Sequence, residues 1–133
     1  MIIFLATFLL SYFYIDASIT GFSIFEFNVA DTIRPNITVN APGNNSNFSY
    51  TNITFNLTIG DDNANITNVS ILGNWTGSFI INSTNSSLAL ANNITVFVIN
   101  LSQGRGFYLW SAKACDNSSN CNFSINMTIF INR

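Results

Sequence analysis

The chain has no histidine and a single lysine among its 133 residues, and Asp, Glu, Lys and Arg together supply only 8% of it, against about 25% in an ordinary globular domain. Without histidine, no nucleophile can be activated by the usual imidazole relay. The four cations Arg34, Arg105, Lys113 and Arg133 are scattered singly and the net charge is −2, so there is no basic stripe to neutralise phosphates, and nucleic acid is excluded as a partner. Three of the six acids lie before Arg34, which leaves few candidates for the carboxylate pair of glycoside hydrolysis. The chain therefore reads as non-enzymatic and without a cofactor. With so little charge, something else must keep its surface soluble: attached sugar, or burial of much of that surface in an assembly.

Cysteine is scarce too. Cys115 and Cys121 bracket the polar segment Asp-Asn-Ser-Ser-Asn between two apolar runs. Two cysteines without histidine leave a zinc sphere incomplete, and a disulfide clamping the neck of a hairpin is the expected use in an exported protein. Asp61-x-Asn63-x-Asn65 has calcium-like spacing but lacks the terminal bidentate acid of a strong site, and reads as a solvated turn.

What the sequence has in abundance is the Asn-x-Ser/Thr triplet, the acceptor sequon for N-glycosylation. Fifteen occur after residue 34, at Asn36, Asn44, Asn47, Asn52, Asn56, Asn65, Asn68, Asn74, Asn82, Asn85, Asn93, Asn100, Asn117, Asn122 and Asn126. The 21 Asn residues of that region would give about four by chance. The triplets also keep register with alternating apolar residues. In Asn52-Ile53-Thr54-Phe55-Asn56-Leu57-Thr58-Ile59, a strand would place Ile53, Phe55, Leu57 and Ile59 on one face and two whole sequons on the other. The same reading of Asn93-Ile94-Thr95-Val96 turns Thr95 outward, and that of residues 122–129 makes Phe123, Ile125, Met127 and Ile129 an inward row. The expectation is a core on one face and sugar on the other.

Residues 1–15 are apolar on every side apart from Thr7 and Ser11. A helix of that kind is buried in lipid or in other protein, and fifteen residues fall short of the roughly 20 that a membrane span requires. No Lys or Arg precedes Arg34, so the basic start of a signal peptide is missing, and the segment reads as part of the mature protein. Helix is expected over residues 1–33. The second half stays open, because Phe25, Phe27 and Val29 alternate with Glu26 and Asn28 as in a strand. An apolar content of 48% excludes a disordered polymer. From Pro35 onward, short alternating runs predict seven strands near 36–40, 51–59, 66–75, 78–82, 93–99, 106–115 and 121–131, the count and spacing of a two-sheet sandwich. Trp75 and Trp110 are its expected core anchors.

The run Gly106-Phe107-Tyr108-Leu109-Trp110-Ser111-Ala112-Lys113-Ala114-Cys115-Asp116-Asn117 resembles the penultimate strand of immunoglobulin-like repeats in prokaryotic surface proteins. The resemblance implies that Tyr108 occupies the tyrosine-corner position. An apolar N-terminal helix leading into a glycosylated immunoglobulin-like sandwich is similar to the subunits of archaeal type IV pili and archaella. Leu5 stands where bacterial pilins carry an acid, and the lack of a Gly-rich helix favours a pilus over an archaellum.

The resulting expectation is a mostly β protein: residues 1–33 a hydrophobic α-helix, residues 34–133 an immunoglobulin-like antiparallel β-sandwich. By that resemblance it is a subunit of an extracellular filament on the cell surface, membrane-embedded before assembly and partnered by copies of itself and by N-linked glycans. Ile2, Ile3, Phe4, Leu5, Phe8, Leu9, Leu10, Tyr12, Phe13 and Ile15 would form its assembly core. The alternatives are a filament joined by donor-strand exchange through residues 18–30, and a membrane-anchored adhesin or lectin module.

Overall fold

The computed structural model describes residues 30–62, 65–86 and 93–133. The assembly-core residues Ile2 to Ile15 and the helix-or-strand question over 18–29 lie outside the described residues. At 30–33, where the expected helix would end, the chain is irregular. There the Asp31 carboxylate accepts a 2.9 Å hydrogen bond from the Ile33 amide, a local turn that competes with helix, and Pro35 disfavours helix at the residue before it.

Strands β1 (Asn36–Ala41), β3 (Asn52–Gly60) and β6 (Asn93–Asn100) form one antiparallel sheet in the order β1-β3-β6. The second sheet runs β2 (Ser46–Phe48), β9 (Met127–Ile131), β7 (Gly106–Asp116), β4 (Ile66–Gly73) and β5 (Ile80–Asn85), with β8 (Cys121–Phe123) also paired to β7. The chain changes sheets early. After pairing with β3 it passes through a cis Ala41-Pro42 peptide and a turn in which Asn45 adopts φ 63°, a conformation Asn tolerates. It then runs parallel to β9 as β2.

The period-two reading of β3 is realised: Ile53, Phe55, Leu57 and Ile59 are all buried, while Asn52 and Thr54 face out. Against this row pack Tyr108, Trp110, Ala112 and Ala114 of β7, Val69 and Ile71 of β4, and Met127, Ile129 and Ile131 of β9. Both tryptophans anchor the core. Phe55 lies between them, 4.8 Å from the Trp110 ring in an edge-on arrangement and 5.8 Å from Trp75. Gly73 makes room for this cluster, since a Cβ there would fall 1.8 Å from a Trp75 ring carbon. Tyr108 donates a 2.8 Å bond to the Gly104 carbonyl four residues upstream, as the tyrosine-corner resemblance implies.

Four expectations are corrected. Nine strands occur among the described residues, the three-residue β2 carrying no alternation long enough to read. The strand expected over 66–75 ends at Gly73, where Asn74 begins a turn closed by the Gly77 amide on the Asn74 carbonyl. The strand expected over 121–131 is broken: β7 advances three residues from Lys113 to Trp110 while its partner advances four, from Phe123 to Met127. One extra residue inverts the faces, so Met127 and Ile129 point inward as expected but Phe123 and Ile125 are exposed. Ser124 occupies the break, its amide donating to the Ala112 carbonyl and its hydroxyl accepting from the Ala112 amide.

The fourth correction concerns β6. Its register sets Phe97 opposite Phe55, which turns Phe97 and Thr95 into the core and leaves Ile94, Val96 and Val98 at 67%, 53% and 68% exposure. The Asn93 sequon therefore has a buried Thr95, not an outward one. Burying the larger Phe97 ring decides the face.

Candidate functional site: the sequon-bearing surface

The fold distributes the sequons over both sheets and both ends of the sandwich. Asn36, Asn44, Asn47, Asn52, Asn65, Asn100, Asn117 and Asn126 are exposed, while Asn56, Asn68, Asn74, Asn82, Asn85 and Asn122 are half-buried. Asn93 opens β6 opposite Ile59. Over β1 and β3 the outer face of the three-stranded sheet is a polar, uncharged field. Asn40 donates to the Asn56 carbonyl oxygen at 3.0 Å and to the Thr58 hydroxyl at 2.9 Å, and Thr38 stands opposite Thr58. Strand pleating puts this row outward because the intervening residues fill the core.

Several sequon side chains replace missing backbone hydrogen bonds. The Asn74 carbonyl oxygen accepts from the Leu109 amide at 2.9 Å, extending the β4–β7 pairing past the end of β4. The Asn44 carbonyl oxygen accepts from Thr128 at 2.8 Å. Asn82 works through the other end of the amide, and Asn122 through both, its Oδ1 also accepting from the Phe123 amide at 2.9 Å. Asn82 donates to the Gly73 carbonyl at 2.9 Å and to the Ile80 carbonyl at 2.7 Å, and Asn122 donates to the Pro35 carbonyl at 2.9 Å.

Cys115 and Cys121 are bonded, with Cα atoms 4.2 Å apart across the β7–β8 pair. The turn between them is organised by buried Asp116, whose carboxylate accepts from the Ser118 amide, the Asn120 amide and the Asn120 side chain at 2.7, 2.8 and 2.9 Å. Asp31 and Asp61 reach the same end, so that Asp31, Asp61 and Asp116 bring one carboxylate oxygen each to within 4.8 Å of one another. Sequence spacing could not show this, because the three acids come from the lead-in to β1, the end of β3 and the end of β7. Asp61 thus faces other acids, while Asn63 of the calcium-like triplet lies outside the described residues.

A second feature without a sequence signal is an aromatic row on the outer face of the larger sheet. The Phe107 and Phe130 rings lie 4.5 Å apart, Arg105 sits 5.7 Å from the Phe130 centroid, and Lys113 sits 5.6 Å from that of Phe123. Where β1 and the β8–β9 break flank the sandwich, a shallow groove of about 540 Å³ is lined by Ile37, Val39, Phe123, Ile125 and neighbouring amides and hydroxyls. Its lining offers apolar contact and hydrogen bonds, with no group that moves a proton near neutral pH.

No family model matches this chain, and neither does any curated protein. Among solved structures it is similar to the fibronectin(III)-like modules of Clostridium thermocellum CbhA, with a TM-score of 0.53 and 16% identity over 74% of this chain and 47% of that one. This chain therefore spans about half the length of that structure. A PKD domain of an M14-like peptidase from a Thermoplasmatales archaeon aligns at 19% identity over 75% of this chain and 94% of that one, with a TM-score of 0.48. At such identities the likeness to the fibronectin(III)-like modules shows the fold alone. The class is a mostly β, immunoglobulin-like sandwich, and its disulfide is that of a domain from an oxidising, extracellular setting.

Proposed function

We propose that the chain is a non-enzymatic structural subunit of an extracellular filament. In this reading residues 1–33 supply the apolar assembly core, and the sandwich, N-glycosylated on its exposed sequons, forms the sheath. The observation that carries it lies in the sequence: residues 1–15 form an almost unbroken apolar run, and a helix of that kind must be buried in lipid or in other protein. Copies of the same run satisfy that need by bundling. The test is electron microscopy of surface material from cells carrying Phe8→Asp. Loss of filaments with a correctly melting sandwich supports the reading, and normal filaments refute it.

The open edge of the smaller sheet favours a second reading. β6 pairs with β3 over eight uninterrupted residues, and its other edge has no partner among the described residues. It carries none of the charges, prolines or bulges that usually blunt an edge strand. Under donor-strand exchange, residues 18–30 of a neighbouring copy would add to such an edge. Phe25→Asp and Phe27→Asp would then abolish filaments where Phe8→Asp does not, and a 34–133 fragment would melt far below the full-length chain.

A further inference from the structure

We infer that the fold sorts the sequons it holds by hydrogen bonds according to whether the Asn amide nitrogen is committed to backbone carbonyls, and that Asn82 and Asn122 are structural residues closed to glycosylation in the folded protein. This rests on the glycoprotein reading above and refines it. N-glycosylation replaces one of the two hydrogens on Nδ2, so an Asn held only through Oδ1 keeps its reactive atom free, whereas an Asn whose Nδ2 is bound to backbone carbonyls has that atom tied into the fold.

The partners settle which end faces inward. Backbone N–H groups only donate and backbone carbonyls only accept. Asn44 and Asn74 receive the Thr128 and Leu109 amides on Oδ1, which leaves Nδ2 directed away from the anchoring bond. Sugar there would stand on a side chain already fixed by the sheet. Asn82 is the reverse case. In the β4–β5 register, Ile71 faces Ser83 and Leu72 faces Ile81, so Asn82 is the extra residue of a bulge. Its Nδ2 spends both hydrogens, one on each of two carbonyls, and a glycosidic bond to that nitrogen must break at least one of them. Asn122 stands opposite Ala114, which is fully buried on the inward row of β7. Residues directly opposite in an antiparallel pair share a face, so the Asn122 amide points towards the flank of the core, where its Nδ2 holds the buried Pro35 carbonyl and its Oδ1 accepts from the Phe123 amide. A sugar on that nitrogen would have to be seated in the groove that Asn122 lines, against the Pro35 bond.

The experiment is site-by-site occupancy on the native, full-length protein, measured by mass spectrometry of intact glycopeptides, alongside thermal melts of Asn→Asp variants. Asn44 and Asn74 should carry glycan, and Asn82 and Asn122 should be at least tenfold less occupied. Equal occupancy across the four overturns the division. If every site is bare, the glycoprotein reading fails, and the melts then decide the division alone. Aspartate keeps the acceptor and loses the donors. Asn82→Asp and Asn122→Asp should therefore lower Tm by about 4–8 °C, the shift produced by roughly 1 kcal/mol in a domain of this size, and Asn44→Asp and Asn74→Asp should change it little. Equal losses at all four positions would overturn the assignment.

Discussion

Thr95 is the residue whose replacement should make this protein more stable. It lies in the middle of β6, 2% exposed, and its hydroxyl oxygen is buried without a hydrogen-bond partner. A buried hydroxyl without a partner costs about 1–3 kcal/mol of desolvation, and Thr95→Val removes it while keeping the branched shape that suits a strand. The methyl that replaces it adds roughly 0.8 kcal/mol of apolar burial. Together these give a stabilisation of about 1–3 kcal/mol, since the new methyl must fit a space shaped for oxygen and part of the gain is lost to imperfect packing. The assay is urea denaturation of both proteins with the slope checked for constancy, because only a shift in midpoint at unchanged slope reports stability. Thr95→Val also deletes the Asn93 sequon. Comparing each chain after chemical deglycosylation removes that ambiguity, and Thr95→Ser, which retains the hydroxyl and loses the methyl, should be less stable than wild type. An unchanged or lowered midpoint for Thr95→Val would show that the hydroxyl has a partner, such as an internal water, and would refute the reasoning.

Three further substitutions or treatments test the packing. Gly73→Ala should destabilise by about 1–3 kcal/mol, because its Cβ would meet the Trp75 ring at 1.8 Å; tryptophan fluorescence during denaturation reads both the shift and any displacement of the ring. Tyr108→Phe keeps the ring and loses only the bond to the Gly104 carbonyl, so calorimetry should record a loss of about 0.5–1.5 kcal/mol. Reduction of the Cys115–Cys121 bridge opens a loop with a sequence separation of only 6, and on the chain-entropy estimate should cost about 2 kcal/mol; melts with and without reductant measure it, and non-reducing peptide mapping should recover both cysteines in one fragment.

Much of the sandwich was legible because period two is an unambiguous signal where apolar and polar residues strictly alternate. β3 is the clearest case, and its inward row, its length and its outward sequon residues all follow from the sequence. β1, β4, β6 and β7 were also legible within a residue or two of their ends. What alternation cannot supply is the count of residues between partners. A single added residue at Ser124 inverts every face beyond it, and neither Phe123 nor Ile125 carries a local sign that they lie on the far side of the break. The convergence of Asp31, Asp61 and Asp116 was illegible for a related reason: it is set by where β1 begins and where β3 and β7 end, not by spacing along any one of them.

β6 shows the limit most clearly, because both of its faces are apolar enough to be the buried one. Ile94, Val96 and Val98 compete with Thr95, Phe97 and Ile99, and the burial of Phe97 against the Phe55 row decides the outcome even though it strands a hydroxyl inside. The consequence is an outward stripe of three branched residues on an edge strand, in a chain with almost no charge to keep such an edge solitary. That stripe lies beside the Asn/Thr field, with Thr58 opposite Ile94, Asn56 opposite Val96 and Thr54 opposite Val98. Asn56 is held through Oδ1 by Asn40, which leaves its Nδ2 free on the same face as Val96. A glycan on Asn56 would therefore lie across the stripe and shield it, while a bare Asn56 would leave the stripe open to a partner strand. Sugar shielding and strand addition thus compete for one edge, and which of them holds it is the physical question that separates the two filament readings.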